Sequence, residues 1–228
     1  MRIDELDRLR ARLPEVPGIQ GEEYFTSVVL LLLVPVNGEY HVLFEKRAHS
    51  IRQGGEISFP GGRQDKSDKS LEATAVRETT EEVGIPVKKI RVIGRLDSVF
   101  APMGAMVNVF VGVADIEPGK IRRNPAEVEK VFLLPVSYFE KNKPDVYTVM
   151  TEVHPGFVDK STGEEVVLFP AKDLGLPKRY WSTWGGFKHK VFVYKTEEGI
   201  IWGITARILV DFVKHLSVHG GKGRGRLK

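Results

Sequence analysis

Three carboxylates crowd into the stretch Arg77-Glu78-Thr79-Thr80-Glu81-Glu82-Val83-Gly84-Ile85. A helix turns about 100° per residue, so Glu78, Glu81 and Glu82, at i, i+3 and i+4, share one face. Like charges at that spacing repel. Two readings follow. The segment is a solvated acidic face partnered by Arg77, or hard divalent cations relieve the repulsion. Magnesium takes oxygen ligands and fills its shell with water and substrate phosphates. The loop ahead of the helix weighs toward the cation. It reads Phe59-Pro60-Gly61-Gly62-Arg63-Gln64-Asp65. Paired glycines let a backbone come close to a metal or a phosphate. A Gly-rich loop feeding a carboxylate-bearing helix suits phosphate and metal chemistry.

Other elements must hold these groups in place. The helix spans about Ser70 to Val83, capped by Ser70 or Asp68, ended by Gly84 and blocked by Pro86. A second stripe, Ala73, Val76, Thr80 and Val83, would pack on a sheet and leave the three carboxylates facing outward. Ser27–Val36 reads as a buried strand, Asn37-Gly38 as a hairpin turn and Tyr40–Lys46 as the returning strand. Residues 47–69 read as a functional loop. Strands are expected at Lys89–Phe100 and Met106–Ala114. A turn at Asn124-Pro125 leads to a short helical or extended piece, Ala126–Phe132, and a helical turn at Val136–Lys141. Residues 142–190 hold short strand-like pieces, Tyr147–Val153 and Glu165–Phe169, between prolines and glycines. Lys190–Tyr194 and Ile200–Trp202 flank a Glu198-Gly199 turn, and a last helix runs over Ile204–Leu216. A short amphipathic helix is expected at 3–13, and the Gly-Lys-Arg tail 220–228 reads as disordered. The irregular alternation predicts an α/β (α+β) fold, a mixed β-sheet between α-helices.

Composition bounds the function. With 228 residues, 42% hydrophobic and 28% charged, the chain is neither fibrous nor disordered. One domain over 1–219 is expected, with 142–190 as an elaboration. The net charge of +4 suits an anionic substrate without requiring nucleic acid. Lys222, Arg224, Arg226 and Lys228 read as a solvated terminus rather than an RNA site. The absence of cysteine excludes a disulfide scaffold, a thiolate nucleophile and a thiolate zinc site. The histidines lack metal spacing. The longest apolar run, Val28–Val36, is far short of the roughly 20 residues of a membrane span. No secretory signal is seen at the start, so a cytoplasmic location is the expectation.

The loop and helix resemble the Nudix box, G-x5-E-x7-R-E-U-x-E-E-x-G-U, with U a bulky aliphatic residue. From Arg77 the match runs through Glu78, Glu81, Glu82, Gly84 and Ile85, with Thr79 at a bulky position. Further forward, Lys69 stands at the glutamate position and Gly62 lies one residue early. A longer form of the box belongs to the coenzyme A diphosphatase branch, and the chain is similar to it. Phe59-Pro60-Gly61-Gly62, Asp65, Asp68, Thr74-Ala75, Arg77-Glu78 and Glu81-Glu82 fit that form. So does an upstream motif placed on Arg47, Ala48, Arg52 and Gly55, with the Arg52-to-Gly55 interval one residue short. Asn124–Val128, Leu134–Tyr138 and Ile201–Leu209 also look like segments of this branch.

The resemblance implies Mg²⁺ or Mn²⁺ held by Glu78 and Glu82, with Glu81 as a further ligand, and Arg77 orienting a glutamate of the same helix. The general base would be a glutamate of the helix, Glu81 among them, or a carboxylate from a later loop, for which Glu127 is the candidate. Arg47 and Arg52 would contact phosphates, and Gly61 and Gly62 would line the substrate. Asp65 and Asp68 would shape the loop, and Phe59 would be core. The implied reaction is hydrolysis of a small nucleoside diphosphate derivative. Coenzyme A is the leading substrate, with ADP-ribose or a dinucleotide as the alternative. A silent nucleotide- or partner-binding module ranks lower, because all three carboxylates are present. Dimers are common among such enzymes, and residues 142–190 could supply an interface.

Overall fold

The computed structural model describes residues 25–101 and 104–217. The expected helix at 3–13 and the tail at 220–228 lie outside them. The apolar run forms a central strand, β1 (Phe25–Val36), which alternates cleanly. Val28, Leu30, Leu32 and Val34 face one core, while Leu31 and Leu33 face the other. Asn37 and Gly38 both take positive φ, 50° and 85°, as a tight hairpin turn requires. The chain returns as β2 (Glu39–Arg47), antiparallel to β1.

The expected loop at 47–69 holds two short strands. β3 (Ile57–Ser58) pairs with β2, and β4 (Gly61–Arg63) pairs with the start of β1. Then comes α1 (Leu71–Val83). Ser70 caps it by accepting the Ala73 N–H, and Gly84 ends it in the left-handed region at φ 68°. The strand expected at Lys89–Phe100 is broken into β5 (Ile90–Arg95) and β6 (Val99–Ala101), with a register shift between Val92 and Gly94. β7 (Ala105–Ala114) runs parallel to β1. The segment left open between helix and strand is extended, as β8 (Val128–Pro135), and pairs with β2. α2 (Val136–Lys141) follows. The sheet order is β3-β2-β1-β7-β5, with β4 on β1, β6 on β7 and β8 on β2.

Residues 142–190 are more regular than their composition suggested. β9 (Asp145–Val153) and β12 (Trp184–Thr196) pair over nearly their whole lengths, and a small hairpin, β10 (Gly156–Val158) with β11 (Glu165–Val167), lies between them. β13 (Gly199–Trp202) completes a three-stranded sheet, and α3 (Gly203–Ser217) closes the described chain. One face of the main sheet is covered by α1, through Ala75 and Val83 with Ile85 beyond it. The other face is covered by α3, through Ala206, Ile208, Leu209 and Phe212, and by Phe139 of α2. A mixed sheet between helices is therefore observed.

The buried stripe of α1 is not the expected one. Thr74, Ala75, Thr79, Glu82 and Val83 are buried. The threonines can turn inward because their hydroxyls are satisfied locally. Thr79 Oγ1 donates to the Ala75 carbonyl at 2.7 Å, and Thr74 Oγ1 lies 3.0 Å from Asp68 and 3.2 Å from the Ser70 carbonyl. The three carboxylates therefore do not all point outward.

Candidate active site

Rotating α1 onto this stripe grades its acids by depth. Glu81 is exposed, Glu78 is partly covered, and Glu82 is only 5% exposed. Glu82 can be buried because β4 brings a donor to it. The Gly61 N–H reaches Glu82 Oε2 at 2.8 Å. Both glycines are there for close approach. A Cβ on Gly61 would collide with the Val28 carbonyl, and one on Gly62 would collide with the Glu78 carboxylate.

Arg77 ties the rim together. Its guanidinium meets Glu78 Oε1, Glu81 Oε2 and Asp68 Oδ2, each at 2.9 Å, and its Nε reaches Asp68 Oδ1 at 3.0 Å. Asp68 is thus the forked anchor that fixes the arginine, and its carboxyl also accepts the Asp65 N–H. These hydrogen bonds, with Arg77 foremost, hold the Asp68 carboxyl well below the usual range. The same partners, Asp68 first, push the Arg77 guanidinium further up.

The structure adds a group that sequence reasoning missed. Glu45 of β2 is 1% exposed. It shares the face of Leu43, which packs beneath α1, and so lies under the carboxylate helix. Ser58 Oγ donates to Glu45 Oε1 at 3.0 Å, Arg47 stands 3.6 Å from that same oxygen, and Oε2 has no partner. The signal was a lone carboxylate in an otherwise apolar strand interior, Val42-Leu43-Phe44-Glu45.

Glu127 is delivered by the loop after β7. That loop is pinned to the end of α1 by two bonds, Arg122 N–H to the Val83 carbonyl (3.1 Å) and Asn124 N–H to the Glu82 carbonyl (2.8 Å). The Ala48 N–H then takes the Glu127 carbonyl at 2.8 Å. Burial raises the carboxyls of Glu45, Glu78 and Glu82 above their ordinary values. Glu127 adds to the rise at Glu45 and Glu78, and Glu45 adds to it at Glu82. Four carboxylates are thus close enough to act on one another, with Arg47 and Arg77 beside them.

Arg47 and Arg52 sit on one knotted turn. Arg47 Nε donates to the Arg52 carbonyl at 3.2 Å, and the Gly55 N–H returns to the Arg47 carbonyl at 2.9 Å. Arg47 therefore reaches the cluster, through Glu45. The exposed Arg52 guanidinium instead lies 5.6 Å from the Phe25 ring, which also carries Arg63 at 4.5 Å. Phe59 is core, stacked on Phe44 at 5.3 Å.

The donor set fits a hard divalent cation. It is all oxygen, it is anionic and partly desolvated, and one buried oxygen, Glu45 Oε2, has no hydrogen-bond donor. Among the described residues, no three His, Cys, Asp or Glu side chains converge into a preformed metal cage.

Comparison with known proteins gives the lineage. The NUDIX domain model matches residues 25–157. A NudL protein of Photorhabdus laumondii, described as an uncharacterized Nudix hydrolase, is 30% identical over 94% of this chain and 97% of its own. The human mitochondrial coenzyme A diphosphatase NUDT8 is 36% identical over 54% of this chain and 53% of its own. Among solved structures, the Nudix hydrolase RenU of M. smegmatis aligns with a TM-score of 0.42 and 26% identity, covering 50% of this chain and 71% of that one. The chain belongs to the Nudix hydrolases, enzymes that cleave the diphosphate of nucleoside diphosphate derivatives.

Proposed function

We propose that this enzyme hydrolyses the diphosphate of coenzyme A or its derivatives, giving 3′,5′-ADP and 4′-phosphopantetheine. One observation carries the reading. The turn Arg47–Gly55, which bears the motif of the coenzyme A branch, is knotted onto the edge of the carboxylate cluster, with Arg47 3.6 Å from Glu45. The relative named a coenzyme A diphosphatase aligns over about half of this chain and supports the same assignment.

Glu78 and Glu82 would hold Mg²⁺ or Mn²⁺, with Glu81 and Glu45 as further oxygen donors. The bound ion supplies charge neutralisation at the diphosphate oxygens and activation of water. The side chains do the positioning. Asp68 fixes Arg77, Arg77 fixes Glu78 and Glu81, and the Gly61 N–H fixes Glu82. Arg47 presents a forked donor suited to a phosphate, and the exposed Arg52 can meet a second one, such as the 3′-phosphate of coenzyme A. Water attacks one phosphorus, the bridging P–O bond breaks, and the released proton passes to Glu127 or to a glutamate of α1. A second reading, ADP-ribose or a dinucleotide as substrate, is favoured by the short Arg52-to-Gly55 interval.

Incubating coenzyme A, ADP-ribose and NADH in parallel with Mg²⁺ or Mn²⁺, and weighing the products, tests the proposal. 4′-Phosphopantetheine from coenzyme A, absent with Glu82→Gln, is the expected result. AMP from ADP-ribose with coenzyme A untouched would overturn the substrate and keep the site.

A further inference from the structure

Every residue of β9 is exposed. It is the outer strand of the β13-β12-β9 sheet, so its second edge carries unpaired N–H and C=O groups, and no strand among the described residues pairs with it. Such edges are normally blunted by charged side chains, lysine above all, by proline or by a bulge on the edge strand. β9, Asp145-Val-Tyr-Thr-Val-Met-Thr-Glu-Val153, has no lysine or proline, its two charges, Asp145 and Glu152, stand near its ends, and the one register shift lies on β12, between Gly185 and Phe187. Its centre, residues 146–151, is rich in strand formers, and Val146, Tyr147, Val149, Met150 and Val153 are each about half exposed, from 47% to 55%.

We infer that this edge pairs with the same edge of a second copy, antiparallel about a two-fold axis at Val149. The sequence is self-complementary in that register. Val149 faces Val149 of the partner copy, Tyr147 faces Thr151, Thr148 faces Met150, Val146 faces Glu152, and Asp145 faces Val153. No carboxylate opposes another, and β-branched or aromatic residues face each other where pairing contributes most. The charges agree as well. Antiparallel pairing lays the tip of one arm, where exposed Glu152, Glu164 and Glu165 outnumber exposed Lys160, beside the root of the other, where exposed Lys141, Lys143 and Lys195 outnumber exposed Glu140 and Asp145. The five half-exposed apolar side chains, Val146 and Met150 on one face of the strand and Tyr147, Val149 and Val153 on the other, offer at most roughly 300 Å² per copy, against the roughly 450 Å² of apolar surface in a standard interface. The pair therefore belongs at the smaller, reversible end of stable dimers, and C2 symmetry uses up the β9 edge of both copies, so no third copy can add there.

Light scattering across micromolar concentrations tests this, with circular dichroism to confirm folding of each variant. The wild type is expected at twice the 25.6 kDa chain mass, with the dimer weakening as salt rises. Val149→Lys sets two lysines face to face and should weaken the dimer by at least about tenfold. An equal mixture of Val149→Lys and Val149→Glu should restore it. A different partner, or a segment of the same chain covering β9, would give no such rescue. Because the chain lacks cysteine, Val149→Cys is a clean probe. Facing Cα atoms about 4.5–5.5 Å apart lie within disulfide range, so mild oxidation should link the copies. Cysteine at Val87, 58% exposed and far along the chain, should not link them. A wild type that stays at 25.6 kDa, a Val149→Lys variant as dimeric as the wild type, a mixture that stays monomeric, or an unlinked Val149→Cys would each overturn the inference.

Discussion

Gly62→Ala separates positioning from folding at this site. Gly62 has no positive φ, so alanine suits its backbone. The new Cβ would stand 2.5 and 2.6 Å from the two oxygens of Glu78, whereas ordinary contact begins near 3.4 Å. The carboxylate must therefore retreat by about 1 Å, a misplacement that can cost about 100-fold in rate, or about 2.7 kcal/mol of barrier. It is free to retreat, because it is the far end of a side chain held mainly by Arg77 at 2.9 Å. Stability should hardly change. Steady-state kinetics at saturating metal should thus show kcat falling by about 100-fold, while the thermal midpoint stays near that of the wild type. Activity within about threefold of the wild type would refute the reasoning, since Glu78 would then not need its present position. A loss of activity that tracks unfolding would refute it differently, by showing that Gly62 serves the fold.

Gly61→Ala should do the reverse, because its Cβ meets backbone, the Val28 carbonyl and Val29 Cα, which cannot step aside. A loss of about 2–3 kcal/mol or more is expected in urea unfolding. Arg52→Ala should raise KM for coenzyme A by about tenfold with kcat little changed, as loss of one charge-assisted contact implies, read by initial rates. Asp68 makes stability pH-dependent. Its folded pKa is depressed, chiefly by Arg77, so its contribution is present above the free aspartate value of about 3.9 and lost as pH falls through the depressed folded value. Thermal melts should show the wild type weakening on acidification below about pH 4, and Asp68→Asn should flatten that decline.

The legible parts of the fold were those written locally. The Asn37-Gly38 turn, the Ser70 cap and the Gly84 stop each signal through one or two residues, and β1 through an unbroken apolar run. β3 and β4 were not legible, because two or three residues become strands only by pairing with β2 and β1 far along the chain. The facing of α1 departs from its hydropathy stripe for a related reason. Hydropathy ranks Thr79 and Glu82 as solvent-seeking, and only the Ala75 carbonyl and the Gly61 N–H make their burial tolerable. The box residues of the candidate site could be placed from their spacing. Glu45 could not, since its part depends on which strand face lies under α1.

The account rests on the graded carboxylates forming a divalent-cation site with Glu82 at its base. Titrating Mn²⁺ into the protein and following the free ion by electron paramagnetic resonance tests this without any substrate. Saturable binding by the wild type, lost in a folded Glu82→Gln variant, is the predicted result. Undiminished Mn²⁺ binding by that variant would contradict the account.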